Sequence, residues 1–323
     1  SIKLAGNTKM VGVLSRDKER GAAFAAKHGF QRSYGSMEEL LSDPEVAVVY
    51  IATPTGLHAP QAIQAAKGGK HVFVQKPMGK NLEDSECLVA ACQENNVKLG
   101  VAFSYRAHPA HIKAREIIAS GELGEIFLVT GQLQVPPHRG WHAGWWYDPS
   151  LGAGMLPRLG VHWIDLMRFV LGHEIEEVSA FVGPPTPDNP FEDVVLGMFR
   201  FDNGVYGSMD CSDIVPNPLR TMTRFEFYGS KGTMATVSSN VDWFVQEGVH
   251  SYSVDLHVAT VAGSTTYQFS LTNLYLTEIE AFNKAIEENA EPLASGIDGL
   301  RADQVTAAMY ESARSGKSVR INP

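Results

Sequence analysis

The amino-acid sequence predicts an α/β unit with a doubly wound parallel sheet, followed by an α+β unit whose sheet is largely antiparallel. The chain has 323 residues, more than a usual single domain of about 100 to 200 residues. Up to about residue 103, short apolar runs alternate with helical runs. This alternation is typical of a parallel sheet with helices on both faces. After about residue 120, strand-like runs follow one another without helices between them.

The first unit is predicted from strands and helices in alternating order. The expected strands are "KMVGVLS", "VAVVYIAT", "KHVFVQKP" and "VKLGVAF". Expected helices are "RDKERGAAFAAKHG", which Gly29 closes, and "GLHAPQAIQAAKGG", which ends in two glycines. Ser36 with Glu39 and Asn81 with Asp84 have the spacing of capping boxes, which predicts two more helix starts. We place the first domain at residues 1–103.

The second unit is predicted from consecutive strand-like runs. These are "GEIFLVTGQLQV", "EDVVLGMFRF", "GVYGSMDCS" and "TRFEFYG". Asn203 and Gly204 form an Asn-Gly pair between two of them, a strong signal for a β-hairpin. The runs "TEIEAFNKAIEENA" and "LRADQVTAAMYESARSGKSVRI" predict helices near the end of the chain. We place the second domain at residues 104–323 and expect the last helix to pack back on the first domain.

Composition excludes several classes of partner. Hydrophobic residues make up 44% of the chain and charged residues 20%, as in a globular protein with a large core. The net charge of −9 disfavours nucleic acid and anionic membranes, which bind basic surfaces. No apolar run reaches the length of a membrane span. We therefore expect a cytoplasmic protein with a small-molecule substrate and no metal site. Three cysteines, an odd number without metal-type spacing, are interpreted as buried thiols: Cys87, Cys92 and Cys211.

The loop after the first expected strand predicts a nucleotide site. Doubly wound sheets bind nucleotides beyond the carboxyl ends of their strands. Ser15, Arg16 and Arg20 follow the strand here. An acid at this position suits the ribose hydroxyl of NAD, whereas a hydroxyl with arginines suits the 2′-phosphate of NADP. NADP is therefore slightly favoured over NAD, and a solvated helix start explains the same residues equally well.

Two further loops leave expected strands and are candidates for cofactor contacts. One contains Thr53, Pro54, Thr55 and His58. Its alternative interpretation is a helix start capped by Thr55. The other places Gln75 and Lys76 at a strand's carboxyl end, just before a proline. Lys76 would point toward the nucleotide crevice and exchange protons there, whereas an ordinary lysine at a strand end is exposed to solvent.

The segment "GAGMLPRLGVHWID" places Arg158 four residues before His162. On a helix the two would share a face. A guanidinium about 5 Å away would raise the energy of the protonated imidazole by about 3 kcal/mol at a dielectric of about 20, keeping the ring neutral. Arg158 either binds a carboxylate or phosphate on an acidic substrate, such as a uronate, or pairs with Asp148 or Asp165. The "GAG" is not a nucleotide loop, because no apolar strand precedes it and no third glycine follows.

An aromatic segment, "GWHAGWWY", lies ahead of this motif. Its rings can stack on the face of a sugar or form hydrophobic core. The expected substrate pocket consists of Tyr105, Arg106, Trp141, His142, Trp145, Trp146, Tyr147, Arg158 and Asp165.

Six segments carry a resemblance to a known family: "IATPTGLHAPQAIQAAKGGKHVFVQKPM", "SGELGEI", "GAGMLPRLGVHWID", "FDNGVYGSM", "YGSKGTM" and "AAMYESARSGKSVRI". In this order the chain resembles the glucose-fructose oxidoreductase, inositol dehydrogenase and MocA family over nearly its whole length. It implies a Rossmann-type domain followed by a domain with a large, open, mostly antiparallel sheet. It also assigns Lys76 and His162 to the family's catalytic lysine and histidine, and Thr53, Pro54 and His58 to its cofactor loop. Arg106 falls where the family has an arginine or asparagine near the nicotinamide.

Three departures from the family pattern affect these assignments. Gln75 replaces a glutamate, which keeps hydrogen bonding but loses a charge, and Arg158 replaces an aspartate of the proton relay. The glycine fingerprint is absent, and "SIKLAG" resembles the end of the family's first helix. We expect that about twenty to thirty residues with the first strand and glycine loop precede this sequence in the natural chain.

The resemblance implies NAD(P)-dependent oxidation or reduction of a hydroxyl or keto carbon on a sugar, polyol or related small molecule. Lys76 would polarise or deprotonate the reacting oxygen, and His162 would accept or return the proton. The second sheet is expected to bury its open face in a homo-oligomer, a dimer or tetramer. The alternatives are a non-catalytic regulator that binds nucleotide or sugar and a cofactor-retaining glycoside-cleaving enzyme.

Overall fold

The first part of the chain folds as alternating parallel strands and helices. A computed structural model describes residues 1–135, 144–185, 189–215, 222–240 and 251–321. The strands are β1 (Gly12–Leu14), β2 (Arg32–Tyr34), β3 (Val48–Ile51), β4 (His71–Val74) and β5 (Leu99–Val101). The helices are α1 (Lys18–His28), α2 (Met37–Ser42), α3 (His58–Lys67) and α4 (Leu82–Glu94). The predicted α/β unit is confirmed, with β2 as an additional strand.

The parallel sheet consists of two separate pieces. β1 pairs with β2, and β3, β4 and β5 form a three-stranded sheet in that order. In the doubly wound order 3-2-1-4-5-6, β2 and β1 correspond to strands on one side of a central strand, and β3 to β5 to those on the other. Among the described residues no strand joins the two pieces. In this fold the glycine fingerprint follows that central strand.

Local capping sets the helix ends that the sequence predicted. The side chain of Ser36 accepts a hydrogen bond from the backbone nitrogen of Glu39 at 3.2 Å, and that of Asn81 accepts from Asp84 at 2.9 Å. Both bonds satisfy a donor that the first helical turn leaves free. Gly29 ends α1 with a φ of 83°, a left-handed conformation that favours glycine.

The second part of the chain is built on a nine-stranded sheet. Its order is β13-β12-β11-β10-β6-β9-β8-β7-β14. β6 and β9 pair in parallel and every other pair is antiparallel, so the predicted mostly antiparallel sheet is confirmed. Gly204, with a φ of 85°, turns the hairpin between β8 and β9 where the Asn-Gly pair predicted it. The strands are β6 (Ile126–Gln134), β7 (Ile175–Val182), β8 (Val194–Phe201), β9 (Tyr206–Ser212), β10 (Met222–Gly229), β11 (Gly232–Asn240), β12 (Ser251–Thr260), β13 (Gly263–Asn273) and β14 (Val319–Arg320).

Helices cover one face of this sheet. They are α5 (Pro109–Ser120), α6 (Val161–Leu171) and α8 (Gly296–Ser315), whereas α7 (Leu274–Glu287) packs on the parallel strands of the first part of the chain. Every residue of α6 is buried, and Trp163 stacks on Phe225 of β10 with ring centroids 5.1 Å apart. The other face keeps apolar side chains exposed on three neighbouring strands: Phe181, Leu196, Met198 and Tyr206.

The last two helices contact both parts of the chain. Phe282 of α7 stacks on Phe73 of β4 at 4.9 Å between ring centroids. The hydroxyl of Ser85, in α4, donates to the carboxylate of Asp303 in α8 at 2.7 Å. In β7, the backbone nitrogen of Ala180 donates to the hydroxyl of Ser312 in α8 at 3.0 Å. Through these contacts α7 packs on β4, and α8 joins α4 to β7.

The cysteines differ in their environments. All three are free thiols, and Cys92 and Cys211 are buried as expected. Cys87 is exposed, so the interpretation of all three as buried thiols was wrong, because this residue lies on the solvent side of α4. Within the described ranges, no helix has the length and apolar character needed to cross a membrane. The same residues contain no cluster of three or more metal-ligating side chains.

Candidate active site

The loop after β1 presents two arginines to solvent. Ser15 is partly buried. Its backbone nitrogen donates to the backbone oxygen of Tyr34 at 3.1 Å, which extends the pairing of β1 with β2. Asp17 caps α1 by accepting from the backbone nitrogen of Arg20 at 2.9 Å. Arg16 and Arg20 are exposed at this helix start. Both interpretations given by the sequence, a cofactor contact and a solvated helix start, are compatible with this arrangement.

The loop after β3 is fixed by contacts within the protein. The hydroxyl of Thr53 donates to the side-chain oxygen of Gln61 at 2.8 Å. Thr55 is buried and begins a short 3-10 turn after Pro54, and its side chain makes no capping bond, so it does not cap a helix. A Cβ atom on Gly56 would lie 2.4 Å from the backbone oxygen of Ser150, so only glycine fits this approach between two loops.

His58 connects the loops that follow β3 and β4. Its ring nitrogens lie 2.8 Å from the backbone oxygens of Pro77 and Thr53. Burial lowers its pKa more than the two carbonyl groups raise it. The neutral ring donates to one of these carbonyl oxygens, and both nitrogens face protein atoms. The expectation that the His58 ring contacts a cofactor is therefore not supported, and the ring instead joins the two loops.

Lys76 lies two residues beyond β4, in contact with the segment that leads into α6. Its Nζ donates a hydrogen bond to the backbone oxygen of Arg158. Burial, and then the positive charge of Arg158, lower the pKa of Lys76 to about 7, while Glu278 opposes this shift. A lysine with such a pKa exchanges protons near neutral pH, which an exposed strand-end lysine does not.

Arg158 lies in a π-helical turn, Leu156–Gly160, directly before α6. Its guanidinium pairs with the carboxylate of Asp213, just after β9, and its Cζ lies 5.1 Å from the ring centroid of Trp146. The expected alternative partners, Asp148 and Asp165, were therefore wrong. Burial raises the pKa of Asp213 to about 6 although Arg158 opposes the shift. π turns interrupt α-helices frequently at functional sites.

His162 sits in the first turn of α6 and is 6% exposed. The rings of Tyr105 and Phe103 meet it edge-on at 4.8 and 5.9 Å. Burial, and then the charge of Lys76, lower its pKa well below the usual value. This direction agrees with the predicted neutral imidazole, but its causes are burial and then the charge of Lys76, whereas Arg158, the cause expected from the sequence, turns to Asp213.

Arg106 and Asp165 form a buried ion pair. The Nε and Nη2 atoms of Arg106 donate to the two carboxylate oxygens of Asp165 at 2.8 and 2.6 Å. Nη2 also donates to Asp298 at 2.8 Å, which ties α6 to α8. The expectation that Arg106 and Asp165 bind substrate is not supported, because each satisfies the other inside the protein.

The aromatic segment is described only in part. Trp141 and His142 lie outside the described residues. Trp145 and Trp146 are partly buried and stack at 5.0 Å, and Tyr147 is partly buried beside them. Trp146 approaches the site through its contact with Arg158.

The two glycines of "GAG" permit close packing. A Cβ atom on Gly152 would lie 2.2 Å from the backbone oxygen of Trp146, and one on Gly154 would lie 2.1 Å from the carboxylate of Glu192. Their role in packing agrees with the prediction that this motif is not a nucleotide loop.

Sequence reasoning missed two carboxylates, Glu278 of α7 and Asp213. Glu278 lies four residues after Leu274 and four before Phe282, both buried, so the helical period places an acid on the apolar face. That pattern was visible in the sequence. Asp213 gave no comparable signal, because only the pairing of β9 brings it to Arg158.

The residues at the carboxyl end of β4 fit a nicotinamide dinucleotide. His162 Nδ1 and both carboxylate oxygens of Glu278 are buried polar atoms without a hydrogen-bond partner among the described residues. A bound ligand that offers hydrogen-bond donors and acceptors can satisfy such atoms. Dinucleotides bind in the crevice beyond the carboxyl ends of a doubly wound sheet. Fold and site together define an NAD(P)-dependent oxidoreductase.

Comparisons with known proteins give the family. Residues 2–103 match the oxidoreductase family with an NAD-binding Rossmann fold, and residues 111–235 match the GFO/IDH/MocA C-terminal domain. The chain belongs to the GFO/IDH/MocA oxidoreductase family.

Its relatives include named sugar-converting enzymes. A 1,5-anhydro-D-fructose reductase of Ensifer adhaerens is 32% identical over 99% of this chain and 93% of its own length. A D-xylose 1-dehydrogenase (NADP(+)) of Haloferax volcanii is 29% identical over 98% of this chain and 94% of its own. The solved structure of a levoglucosan dehydrogenase in complex with NADH and levoglucosan superposes with a TM-score of 0.84 at 26% identity, covering 99% of this chain and 92% of that one.

Proposed function

We propose that this oxidoreductase transfers a hydride to or from a hydroxyl or keto carbon of a sugar or polyol. The observation that carries the proposal is the pair formed by Lys76, with its pKa near 7, and the neutral, buried His162 beside it. The named relatives are a 1,5-anhydro-D-fructose reductase, a D-xylose 1-dehydrogenase named for NADP(+) and a levoglucosan dehydrogenase solved with NADH. Neither the regulator nor the glycoside-cleaving alternative has comparable support.

Lys76 is proposed as the group that exchanges the proton. When NAD(P) is bound, it accepts or supplies the hydride. Above pH of about 7 the neutral amine of Lys76 accepts the proton of a substrate hydroxyl, and below it the ammonium donates one to a carbonyl oxygen. His162 stays neutral and orients the reacting oxygen by a hydrogen bond, because the cationic state of Lys76 disfavours a second positive charge beside it.

The substrate is proposed to be neutral and rich in hydroxyl groups. Asp213 already compensates the charge of Arg158, so little positive charge remains for an acidic substrate. Arg158 Nε and Asp213 Oδ1 are buried and lack a hydrogen-bond partner among the described residues. One is a donor and the other an acceptor, and a hydroxyl group can satisfy both. The pair supports a neutral sugar over the uronate considered from the sequence.

NADP is proposed as the preferred cofactor. The exposed guanidinium groups of Arg16 and Arg20, together with the hydroxyl of Ser15 at the end of β1, suit a 2′-phosphate. Asp17, the acid next to Arg16 in the sequence, is occupied in capping α1.

A homo-oligomer is proposed from the exposed face of the nine-stranded sheet. Phe181 is 73% exposed and pairs in register with Leu196, while Met198 and Tyr206 continue the same face. A contiguous apolar patch of this kind usually marks an interface. A cytoplasmic location is proposed from the three free thiols, which persist in a reducing compartment.

A substrate screen tests the proposed function. The full-length protein would be incubated with NAD⁺ or NADP⁺ and a panel of aldoses, ketoses, polyols and anhydrosugars, and formation of the reduced nicotinamide followed by absorbance. We expect turnover with at least one member of the panel. Nucleotide binding without turnover on any member, in either direction, would contradict the proposal and favour a regulator.

A further inference from the structure

We propose that Glu192 is a positioning residue, which holds the π turn whose backbone carbonyl at Arg158 accepts the hydrogen bond from Lys76. The inference rests on the proposed function and deepens it. It assigns to a buried carboxylate just before β8, far in sequence from the lysine, the task of fixing where the lysine amine points.

The helix that carries the site begins without a cap from its own sequence. Helical structure starts at Met155 and runs through the π turn into α6, and no side chain at this start makes a capping bond. The first backbone N–H groups of a helix lack partners inside it. Ala153 and Gly154, which precede the start, have no side-chain oxygen to offer. A cap therefore has to come from elsewhere in the chain.

Glu192 supplies this cap. Its Oε1 accepts a hydrogen bond from the backbone nitrogen of Leu156 at 2.9 Å, and its backbone oxygen accepts from that of Met155 at 3.3 Å. A Cβ atom on Gly154 would lie 2.1 Å from the same carboxylate, so the second glycine of "GAG" leaves the room that the carboxylate occupies. A negative charge at a helix N-terminus also interacts favourably with the helix dipole.

A tyrosine from α8 fixes the carboxylate from the other side. The hydroxyl of Tyr310 donates to the same Oε1 of Glu192 at 2.7 Å. Burial, and then the charge of Glu192, raise the pKa of Tyr310, so the hydroxyl stays protonated as a donor. Glu192 is 6% exposed, and hydrogen bonds away from water are electrostatically stronger. The carboxylate thus presents a fixed oxygen to the helix start.

The residue after Glu192 supports the π turn through Asp213. The backbone oxygen of Asp193 accepts from the backbone nitrogen of Asp213 at 3.2 Å. Asp213 in turn pairs with the guanidinium of Arg158. Residues 192 and 193 therefore hold the π turn at its start and at Arg158. Because π turns are rare and occur mostly at functional sites, we assign these contacts the task of maintaining this one.

The effect reaches Lys76 through the main chain. Its Nζ donates to the backbone oxygen of Arg158, inside the turn that Glu192 caps. Release of the cap would let this carbonyl move, and the amine would lose the bond that directs it. A displacement of about 1 Å at a reacting group can lower the rate about 100-fold. Lys76 meets the substrate, and Glu192 acts only through the turn.

Kinetics of two substitutions at one position test the inference. Glu192→Leu keeps bulk and removes the acceptor, whereas Glu192→Gln keeps an oxygen that accepts from Leu156. We expect kcat of Glu192→Leu to fall about tenfold or more, with a smaller change in KM, and Glu192→Gln to retain most of kcat. Glu311→Gln, an exposed acid beside Tyr310 on α8, is the matched control. Denaturant unfolding shows that each variant is folded under the assay conditions.

A further variant approaches the same contact from the helix side. Gly154→Ala leaves Glu192 in the chain, but its Cβ atom occupies the space of the carboxylate. We expect the same loss of kcat as in Glu192→Leu, so this variant decides the matter if Glu192→Leu does not fold. Tyr310→Phe removes one of the two donors to the carboxylate and should cause a smaller loss. A wild-type kcat in folded Glu192→Leu or Gly154→Ala would overturn the inference.

Nuclear magnetic resonance measures the position of Lys76 without turnover. In protein labelled with ¹³C at the lysine Cε atoms, the signal lost in Lys76→Met belongs to Lys76. We expect Glu192→Leu to move this signal on both sides of the titration near pH of about 7, because the amine changes its surroundings. Glu192→Gln and Glu311→Gln should leave it close to the wild-type position. An unmoved Lys76 signal in Glu192→Leu would show that Glu192 serves only the fold.

The two proposals fail in distinguishable ways. A wild-type protein that turns over no sugar or polyol contradicts the proposed function, and the Lys76 signal still decides whether Glu192 positions the lysine. Turnover by the wild type, with kcat and the Lys76 signal unchanged in Glu192→Leu, overturns the role of Glu192 alone.

Discussion

Lys76 donates a hydrogen bond from Nζ to the backbone carbonyl oxygen of Arg158, which joins the end of β4 to the π turn before α6. The acceptor is a main-chain atom, so the identity of the side chain at position 158 does not decide where Lys76 points. The Arg158 side chain is free to serve another purpose, and it pairs with Asp213. This separation explains how Lys76 and His162 keep their places at the site while position 158 carries an arginine.

Substitution of Lys76 by methionine is expected to abolish turnover. Methionine keeps much of the bulk and removes the group that exchanges the proton, so kcat should fall by about 100-fold or more. Cofactor affinity, measured by fluorescence titration, should remain nearly unchanged. Lys80→Met, an exposed lysine just beyond the site, is the matched control. Turnover retained by Lys76→Met would show that another group exchanges the proton.

The full-length protein is expected to bind NADPH more tightly than NADH. Charge-assisted hydrogen bonds from Arg16 and Arg20 to a 2′-phosphate should give a preference of about tenfold. Replacing both arginines with alanine should remove it, whereas Lys27→Ala at the other end of α1 should not. Fluorescence titration of each variant with both nucleotides measures the effect. An equal or reversed preference in the wild type would refute the assignment.

A neutral sugar is expected to be a better substrate than its matched uronic acid. Asp213→Asn removes the carboxylate that compensates Arg158, so relative activity on the acid should rise. Arg158→Gln leaves Asp213 buried without its counter-charge, which should lower the free energy of unfolding by about 3–5 kcal/mol. Initial rates on both substrates and denaturant unfolding give the measurements. Preference for the acid in the wild type, lost in Arg158→Gln, would restore the acidic-substrate hypothesis.

Charges placed on the exposed sheet face are expected to dissociate an oligomer. Phe181→Glu combined with Met198→Glu introduces two carboxylates into the apolar patch, where burial against a second copy would be costly. Size-exclusion chromatography with light scattering should show a smaller particle than the wild type. Val261→Glu adds a charge at the exposed turn between β12 and β13 and controls for charge alone. A monomeric wild type would exclude the interface.

The sequence by itself determined the helices of the first domain and four of its five strands, whereas the short strand β2 was not assigned from it. Ser36 and Asn81 cap helices through bonds to residues three positions away, and Gly29 ends a helix by its own conformation. Such contacts depend on neighbouring residues, so local patterns reveal them. Val254, Leu256 and Val258 in β12 are buried. Their apolar side chains at every second position were visible in the sequence, although that strand was not assigned.

Only the tertiary structure decided how the side chains of the site are paired. Arg158 meets Asp213 across 55 positions, and Arg106 meets Asp165 across 59. These partners depend on strand order and helix packing, which a local pattern does not specify. Lys76 and His162 were found from their motifs, but what lowers their pKa values is burial, which arises only when α6 and α7 close over the end of β4.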